Sequence, residues 1–172
     1  MGKARRTILN TLFLCLFAAG FSASANGQKK LKDVEVISFG IFAHSPDNGK
    51  SWINPISDKK IEGITASPVH LISTRTIPAQ FPLFFGFEYN LNNLKGSLTE
   101  LTTEVSHPKI KQADGSFETQ YKTTQKFLVL DGKITATNGY LMENKNEITK
   151  GEWTFKIMQK GKTIITQRFT VK

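Results

Sequence analysis

The sequence has very little cysteine: Cys15 is the single cysteine among 172 residues. One cysteine cannot form an intrachain disulfide, a redox pair or a cysteine-based zinc site. Cys15 also lies inside the apolar segment Leu14–Leu16 rather than at a cleavage point, which excludes a lipid-anchored N-terminus. The fold must therefore be held together by its hydrophobic core, and a chain of this length can build one.

Motifs for catalysis or metal binding are also missing. There is no G-x-S-x-G elbow, and the glycines are scattered rather than grouped in a phosphate-binding loop. His44, His70 and His107 are not spaced as metal ligands. Glu100 and Glu104 would be about 13 Å apart along a strand, which is too far for a retaining glycosidase pair. These absences predict a protein that is not an enzyme and that has no metal and no cofactor.

Residues 1–25 have the three parts of a secretory signal peptide. Lys3, Arg5 and Arg6 precede an apolar run, and small residues at Ala23 and Ala25 then form a cleavage site. The run is short for a membrane span, although an uncleaved N-terminal anchor is the alternative. Cleavage removes three of the 23 basic residues, none of the 14 acidic residues and the cysteine, which leaves a charge of +6. We expect a periplasmic or secreted protein without a transmembrane segment after cleavage.

After a polar lead-in at residues 26–33, the remaining segment 34–172 consists of short β-branched and aromatic runs separated by turn signals. That pattern is typical of an all-β domain, and no stretch keeps a helical period. The predicted strands are Val34–Ala43, Val69–Ile77, Phe84–Leu91, Leu98–Val105, Phe117–Leu130, Trp153–Ile157 and Thr163–Val171, with turns at Pro46–Gly49, Asp131–Gly132 and Lys160–Gly161. In the first strand Ile37, Phe39 and Ile41 are predicted to share one face, whereas Val34 and Val36 fall on the other, which indicates a bulge or a change of sheet. His107–Pro108 is predicted to be a turn.

The strand spacing predicts an antiparallel β-sandwich of about seven to nine strands, with a closed barrel as the alternative. Alternation along the strands predicts the side chains of the core: Phe39, Ile41, Phe85, Phe87, Trp153, Phe155 and Phe169.

The segment Pro78–Tyr89 is unusually aromatic. One strand face accounts for Phe85 and Phe87, so Phe81 and Phe84 remain near a proline-rich bend. Such aromatics either pack locally or form a contact site. Trp52, beside a turn signal, either caps the core or joins Phe81 and Phe84 in a contact site. Trp52, Phe81 and Phe84 form the candidate contact patch. Gly86, between aromatic residues, indicates a close backbone approach or a bulge.

The basic residues after the N-terminus are dispersed rather than clustered. Export makes nucleic acid an unsuitable partner. A modest basic surface suits anionic lipid head groups or acidic glycans, or serves only to keep the protein soluble.

Three sequence blocks point to a known family by their order and spacing: 39–42 (FGIF), 76–79 (TIPA) with 85–86 and Tyr89, and 151–155 (GEWTF) with 167–171 (QRFTV). In these blocks the chain resembles a family of exported bacterial proteins known as domain of unknown function 3859. The resemblance implies an immunoglobulin-like sandwich in the periplasm and implies no activity.

Together these observations predict a non-catalytic binding module of the bacterial envelope. It would contact another envelope protein through an edge strand or an aromatic loop. The alternative is a carbohydrate- or anionic-lipid-binding module, and an enzyme is the third hypothesis.

Overall fold

The computed structural model describes residues 33–43, 51–53, 60–62, 68–112 and 114–172. The predicted signal peptide 1–25, the lead-in up to residue 32, His44 and the predicted turn 46–49 lie outside the described residues. The strands are β1 (Val34–Phe42), β2 (Ser51–Ile53), β3 (Lys60–Glu62), β4 (His70–Ile72), β5 (Thr76–Ile77), β6 (Leu83–Leu91), β7 (Leu98–Lys111), β8 (Phe117–Leu128), β9 (Ile134–Met142), β10 (Gly151–Gln159) and β11 (Lys162–Val171). Among the described residues the helical structure is one short 3-10 turn, Lys145–Glu147.

Nine of these strands form the two sheets of a sandwich. The order is β4-β1-β6-β9 in one sheet and β5-β11-β10-β7-β8 in the other, while β2 and β3 pair with each other separately. All pairings are antiparallel except that of β5 with β11. The prediction of an all-β sandwich with seven to nine strands is confirmed.

The core lies between the inner faces of the two sheets, where alternate residues of the central strands are apolar and point inward. The Phe85 ring, from the four-stranded sheet, meets Trp153, Phe155 and Phe169 of the other sheet edge-to-face at centroid distances of 5.4–5.7 Å. Of the seven predicted core residues, Phe39 is partly buried against the core. The other six, Ile41, Phe85, Phe87, Trp153, Phe155 and Phe169, are at most 3% exposed.

β1 contains the irregularity that its sequence predicts. The register with β6 shifts between Val36 and Ser38, so Val34 and Val36 pack against the core before the bulge and Phe39 does so after it. Ile37 was predicted to share the face of Phe39 but is 47% exposed. The extra residue at the bulge places the Ile37 side chain outside the sandwich.

The predicted strand Val69–Ile77 is wrong as a single element. Its first half, β4, pairs antiparallel with β1, and its second half, β5, pairs parallel with β11 in the opposite sheet. Between them Arg75 places its guanidinium 4.3 Å from the centre of the Phe39 ring and 5.6 Å from that of Phe169. The segment therefore crosses from the four-stranded sheet to the five-stranded sheet, and at the crossing Arg75 contacts one aromatic ring from each sheet.

Two further differences concern β7 and β9. The predicted strand Leu98–Val105 continues to Lys111, and the register shift between Ser106 and Ile110 leaves His107 and Pro108 in a bulge within the strand rather than in a turn. A bulge tolerates proline because no ladder hydrogen bond is needed there. β9 was not predicted, because its central Asn138-Gly139 pair has the composition of a turn.

The C-terminal hairpin agrees with its prediction. Trp153, Phe155 and Ile157 share the buried face of β10. The turn residues Lys160 and Gly161 have φ values of 50° and 75°, as a two-residue type I′ turn requires.

Candidate binding surface

The three aromatic residues of the candidate contact patch have different environments. Trp52 lies in β2, and its side chain is outside the described part of the structure. Phe81 is 48% exposed in the loop before β6, preceding Pro82 across a cis peptide bond. Phe84 is half-buried on the outer face of β6. Among the side chains that the structure describes, Phe81 is thus the member of the patch that is most open to solvent.

Phe84 covers a close approach of backbones. Its ring meets Phe42 edge-to-face at 5.8 Å, and two ring atoms lie within 2.9 Å of where a Cβ of Gly139 would be. Gly40, Gly86 and Gly139 are neighbours in one row across β1, β6 and β9. A Cβ on Gly86 would lie 2.1 Å from the Asn138 carbonyl oxygen, so only glycine fits there. Phe84 therefore packs locally, which is one of the two alternatives that its sequence context left open.

β8 presents the long open edge of the five-stranded sheet. It pairs with β7 on one side, and in the described part of the chain no strand pairs with its other side. Nine of its twelve residues are exposed, whereas most of β9, the long edge strand of the other sheet, is half-buried. The remaining edge strands, β4 and β5, have three and two residues. β8 is thus the most accessible backbone edge among the described residues.

The hydrogen-bond pattern shows which groups of β8 are open. Beside the β7–β8 ladder the Val129 N–H donates to the Ser97 carbonyl at 2.9 Å, and the register of the regular stretch pairs Leu98 with Leu128 through Ser106 with Gln120. In an antiparallel ladder, residues bonded to the neighbour alternate with residues whose N–H and C=O point away. The outward set is therefore Gln120, Lys122, Thr124, Lys126 and Leu128. These residues also lie on the outer face of the sheet.

Charged side chains form a row on this outer face. Lys156 of β10, Glu104 of β7 and Lys122 of β8 are successive cross-strand neighbours. The Lys156 Nζ donates to the Glu104 carboxylate at 2.8 Å. That hydrogen bond lowers the pKa of Glu104, burial opposes the shift, and the charges of Lys156 and Lys122 reinforce it. A second pair, Glu100 and Lys126, lies four residues along the same strands.

Both ends of β8 carry exposed apolar side chains. Phe117 is 63% exposed at its start, and Leu128 and Leu130 are 61% and 65% exposed near its end. Leu98, opposite Leu128 in β7, is 58% exposed. Along β8, Lys122, Thr124 and Lys126 thus lie between exposed apolar residues at the two ends of the strand.

An aromatic cluster supports β8 from inside. His107 stacks on Trp153 at 4.9 Å, and Tyr140 lies 4.7 Å from Trp153 and 6.3 Å from Tyr121 of β8. Burial raises the pKa of both tyrosines to about 12, with smaller contributions from nearby carboxylates. Both phenols therefore stay neutral at physiological pH. This cluster fixes one part of β8 against the core.

The two histidines that the structure describes, His70 and His107, contact different backbone carbonyl groups. The His70 Nε2 lies 3.1 Å from the Phe39 carbonyl oxygen, and the His107 Nδ1 lies 2.8 Å from that of Pro108, in opposite sheets. In the described ranges no group of three or more His, Cys, Asp or Glu residues could hold a metal ion. The same ranges contain no helix long and apolar enough to cross a membrane.

Sequence reasoning identified β8 as a strand but not as an edge. The signal that could have revealed it is polarity on both faces: Gln120, Lys122 and Thr124 alternate with Thr123 and Gln125. A central strand of a sandwich needs at least one apolar face, so such a strand belongs at an edge.

Comparisons with known proteins agree with this architecture. The chain is similar in structure to an immunoglobulin-like protein from Pseudomonas aeruginosa, with a TM-score of 0.57 and 22% identity over 81% of this chain and 97% of that one. A weaker similarity, with a TM-score of 0.39 and 9% identity, covers 57% of this chain and 28% of the alkylpurine DNA glycosylase AlkC from Pseudomonas fluorescens, and it supports no conclusion about this chain. No protein of curated function matches the sequence. The family model of the domain of unknown function DUF3859 matches residues 30–171, so the chain belongs to the DUF3859 family and has its immunoglobulin-like fold.

Proposed function

We propose that this protein is a non-catalytic binding module of the bacterial envelope that contacts another protein by pairing a strand with the open edge of β8. The observation that carries the proposal is the outward-facing backbone of Gln120–Leu128 in an exposed strand. In β-strand addition, a partner strand forms hydrogen bonds with the open N–H and C=O groups of an edge strand. These main-chain bonds supply affinity, and the side chains supply selectivity.

The surroundings of the edge support the same use. The exposed side chains of Phe117, Leu128 and Leu130 are apolar surface that an added strand would cover. The opposing hypothesis is that Lys122 and Lys126 keep the edge monomeric, since lysine on an edge strand discourages pairing. The two hypotheses predict opposite results when the edge is probed in its own compartment.

Site-specific photo-crosslinking distinguishes them. A photoreactive amino acid replaces Gln120, an exposed uncharged residue of the edge, or, as a control on the same sheet, Arg168, whose side chain is 69% exposed. We expect one discrete adduct from position 120 in intact cells and none from position 168. Adducts of equal yield at both positions, or at neither, would contradict the proposal.

A proline variant then tests whether pairing is through the backbone. The Thr124 N–H points away from β7, so Thr124→Pro removes one open donor without breaking the ladder. Thr124→Ala is the matched control, because both variants lose the 2.9 Å contact between the Thr124 and Thr102 hydroxyls. We expect the adduct to disappear in Thr124→Pro and to persist in Thr124→Ala, with cooperative melting retained in both. An adduct that survives the proline would show that contact does not use this edge.

A further inference from the structure

The charges on the outer face alternate in sign toward the open edge. Across the sheet the row is Lys156, then Glu104, then Lys122, and the edge strand ends it on a positive charge. Directly opposed charges of unlike sign stabilise neighbouring strands, and charges of like sign destabilise them. The next position in this row lies on an added strand, where a carboxylate would continue the alternation.

The two lysines of the edge face carboxylates of β7 without forming close ion pairs with them. In the described part of the chain, Lys156 pairs with Glu104 at 2.8 Å, and neither Lys122 nor Lys126 belongs to an ion pair of 4.0 Å or less. Glu104 is thus bound to Lys156 rather than to Lys122, and Lys126 has no ion pair there although it faces Glu100. Lys122 and Lys126 are both exposed and both belong to the outward set.

A second copy of this chain is a poor occupant. Symmetric antiparallel pairing of the regular stretch 120–128 is centred on Thr124. It would place Lys122 of each copy opposite Lys126 of the other and so oppose like charges twice. The occupant that the charges favour is therefore a different strand with the complementary pattern.

Building on the proposed function, we infer that the strand received by β8 carries two acidic residues four positions apart, opposite Lys122 and Lys126. The spacing of four is the same for a parallel and an antiparallel partner, because it copies the spacing of the two lysines along one strand face. Between the two acids, the residue opposite Thr124 is uncharged, and β-branched side chains suit it.

Synthetic strands test this specificity directly. The probe is a capped nine-residue peptide of alternating threonine and valine with glutamate at its third and seventh positions. Matched peptides carry glutamine or lysine at those two positions. Each is titrated up to millimolar concentration into the isotopically labelled protein, expressed from the complete sequence, and amide shifts of β8 are followed by NMR. Two cross-strand charge pairs predict that the glutamate peptide binds roughly 2- to 30-fold more tightly than the glutamine peptide.

Charge reversal supplies the matched control. The double variant Lys122→Glu/Lys126→Glu should prefer the lysine peptide, and Lys160→Glu/Lys162→Glu, with the same change in net charge at the β10–β11 turn, should keep the glutamate preference. Equal affinities for all three peptides, with shifts on β8, would overturn the acidic pattern and leave edge pairing intact. If none of the peptides binds, the inference is wrong, whereas the crosslinking at position 120 tests the proposed function and leaves both lysines in place.

Discussion

At the scale of single residues, Phe84 and Phe81 show how neighbours decide the role of an aromatic side chain. Both belong to one proline-rich stretch and have no separate signal in the sequence. Phe84 covers Gly139 and contacts the buried Phe42 ring, whereas Phe81 is 48% exposed. The row of glycines that ends at Gly139 comes from three strands, and only folding brings it together.

This difference predicts unequal effects of the same substitution. Phe84→Ser leaves Gly139 and Phe42 uncovered, and we expect it to lower the free energy of unfolding by about 1–3 kcal/mol. Phe81→Ser removes a half-exposed ring, and we expect a change within about 0.5 kcal/mol. Urea denaturation of both variants measures the difference. Equal losses of stability would contradict the packing role given to Phe84.

At the scale of elements, the parts that were predicted well are those with local determinants. The β10–β11 hairpin needs only its alternating residues and the Lys160-Gly161 turn, and both are visible in the sequence. The division of Val69–Ile77 between two sheets comes from pairing with β1 and with β11, and it brings Arg75 against Phe39 and Phe169, which are distant in sequence. The edge position of β8 likewise follows from the order of the strands in its sheet. β7 pairs with β8 on one side and with β10 on the other, and β10 is distant from both in sequence.

The open edge of β8 predicts an alternating pattern of amide hydrogen exchange. The amides of Gln120, Lys122, Thr124 and Lys126 point away from β7 and should exchange quickly. Those of Tyr121, Thr123 and Gln125 donate within the ladder and should be protected. NMR-detected exchange at neutral pH measures each amide separately. Uniform protection along 120–126 would show that the outer side of β8 is covered, which would contradict the proposed binding edge.

The same measurement has an internal control in β10. That strand lies between β7 and β11, so both of its edges are paired. Its consecutive amides from Trp153 to Ile157 should all be protected. An alternating pattern in β10 as well would mean that exchange reports local opening rather than the edge position.

At the scale of the whole molecule, the proposed function depends on where the chain resides. A sandwich without disulfides is compatible with any compartment, so location must come from residues 1–25, which resemble a signal peptide. The structural likeness to an immunoglobulin-like protein supports the fold and is silent on location. Cleavage of residues 1–25 is therefore the property to measure, because it accompanies export of the domain to the envelope, where we propose that it acts.

Cleavage after Ala25 predicts a protein that begins at Asn26 and has no thiol, because Cys15 is the single cysteine of the chain. Intact-mass spectrometry of the periplasmic fraction should show that N-terminus and no mass increase with a thiol-reactive reagent. Ala25→Lys is the control variant: a large charged residue at the cleavage site prevents processing. It should keep the protein with the membrane and allow one thiol to react. If the unsubstituted protein were instead found in the cytoplasm with residues 1–25 and one reactive thiol, the prediction of export would be wrong. The proposal of an envelope partner for β8 would then be wrong as well.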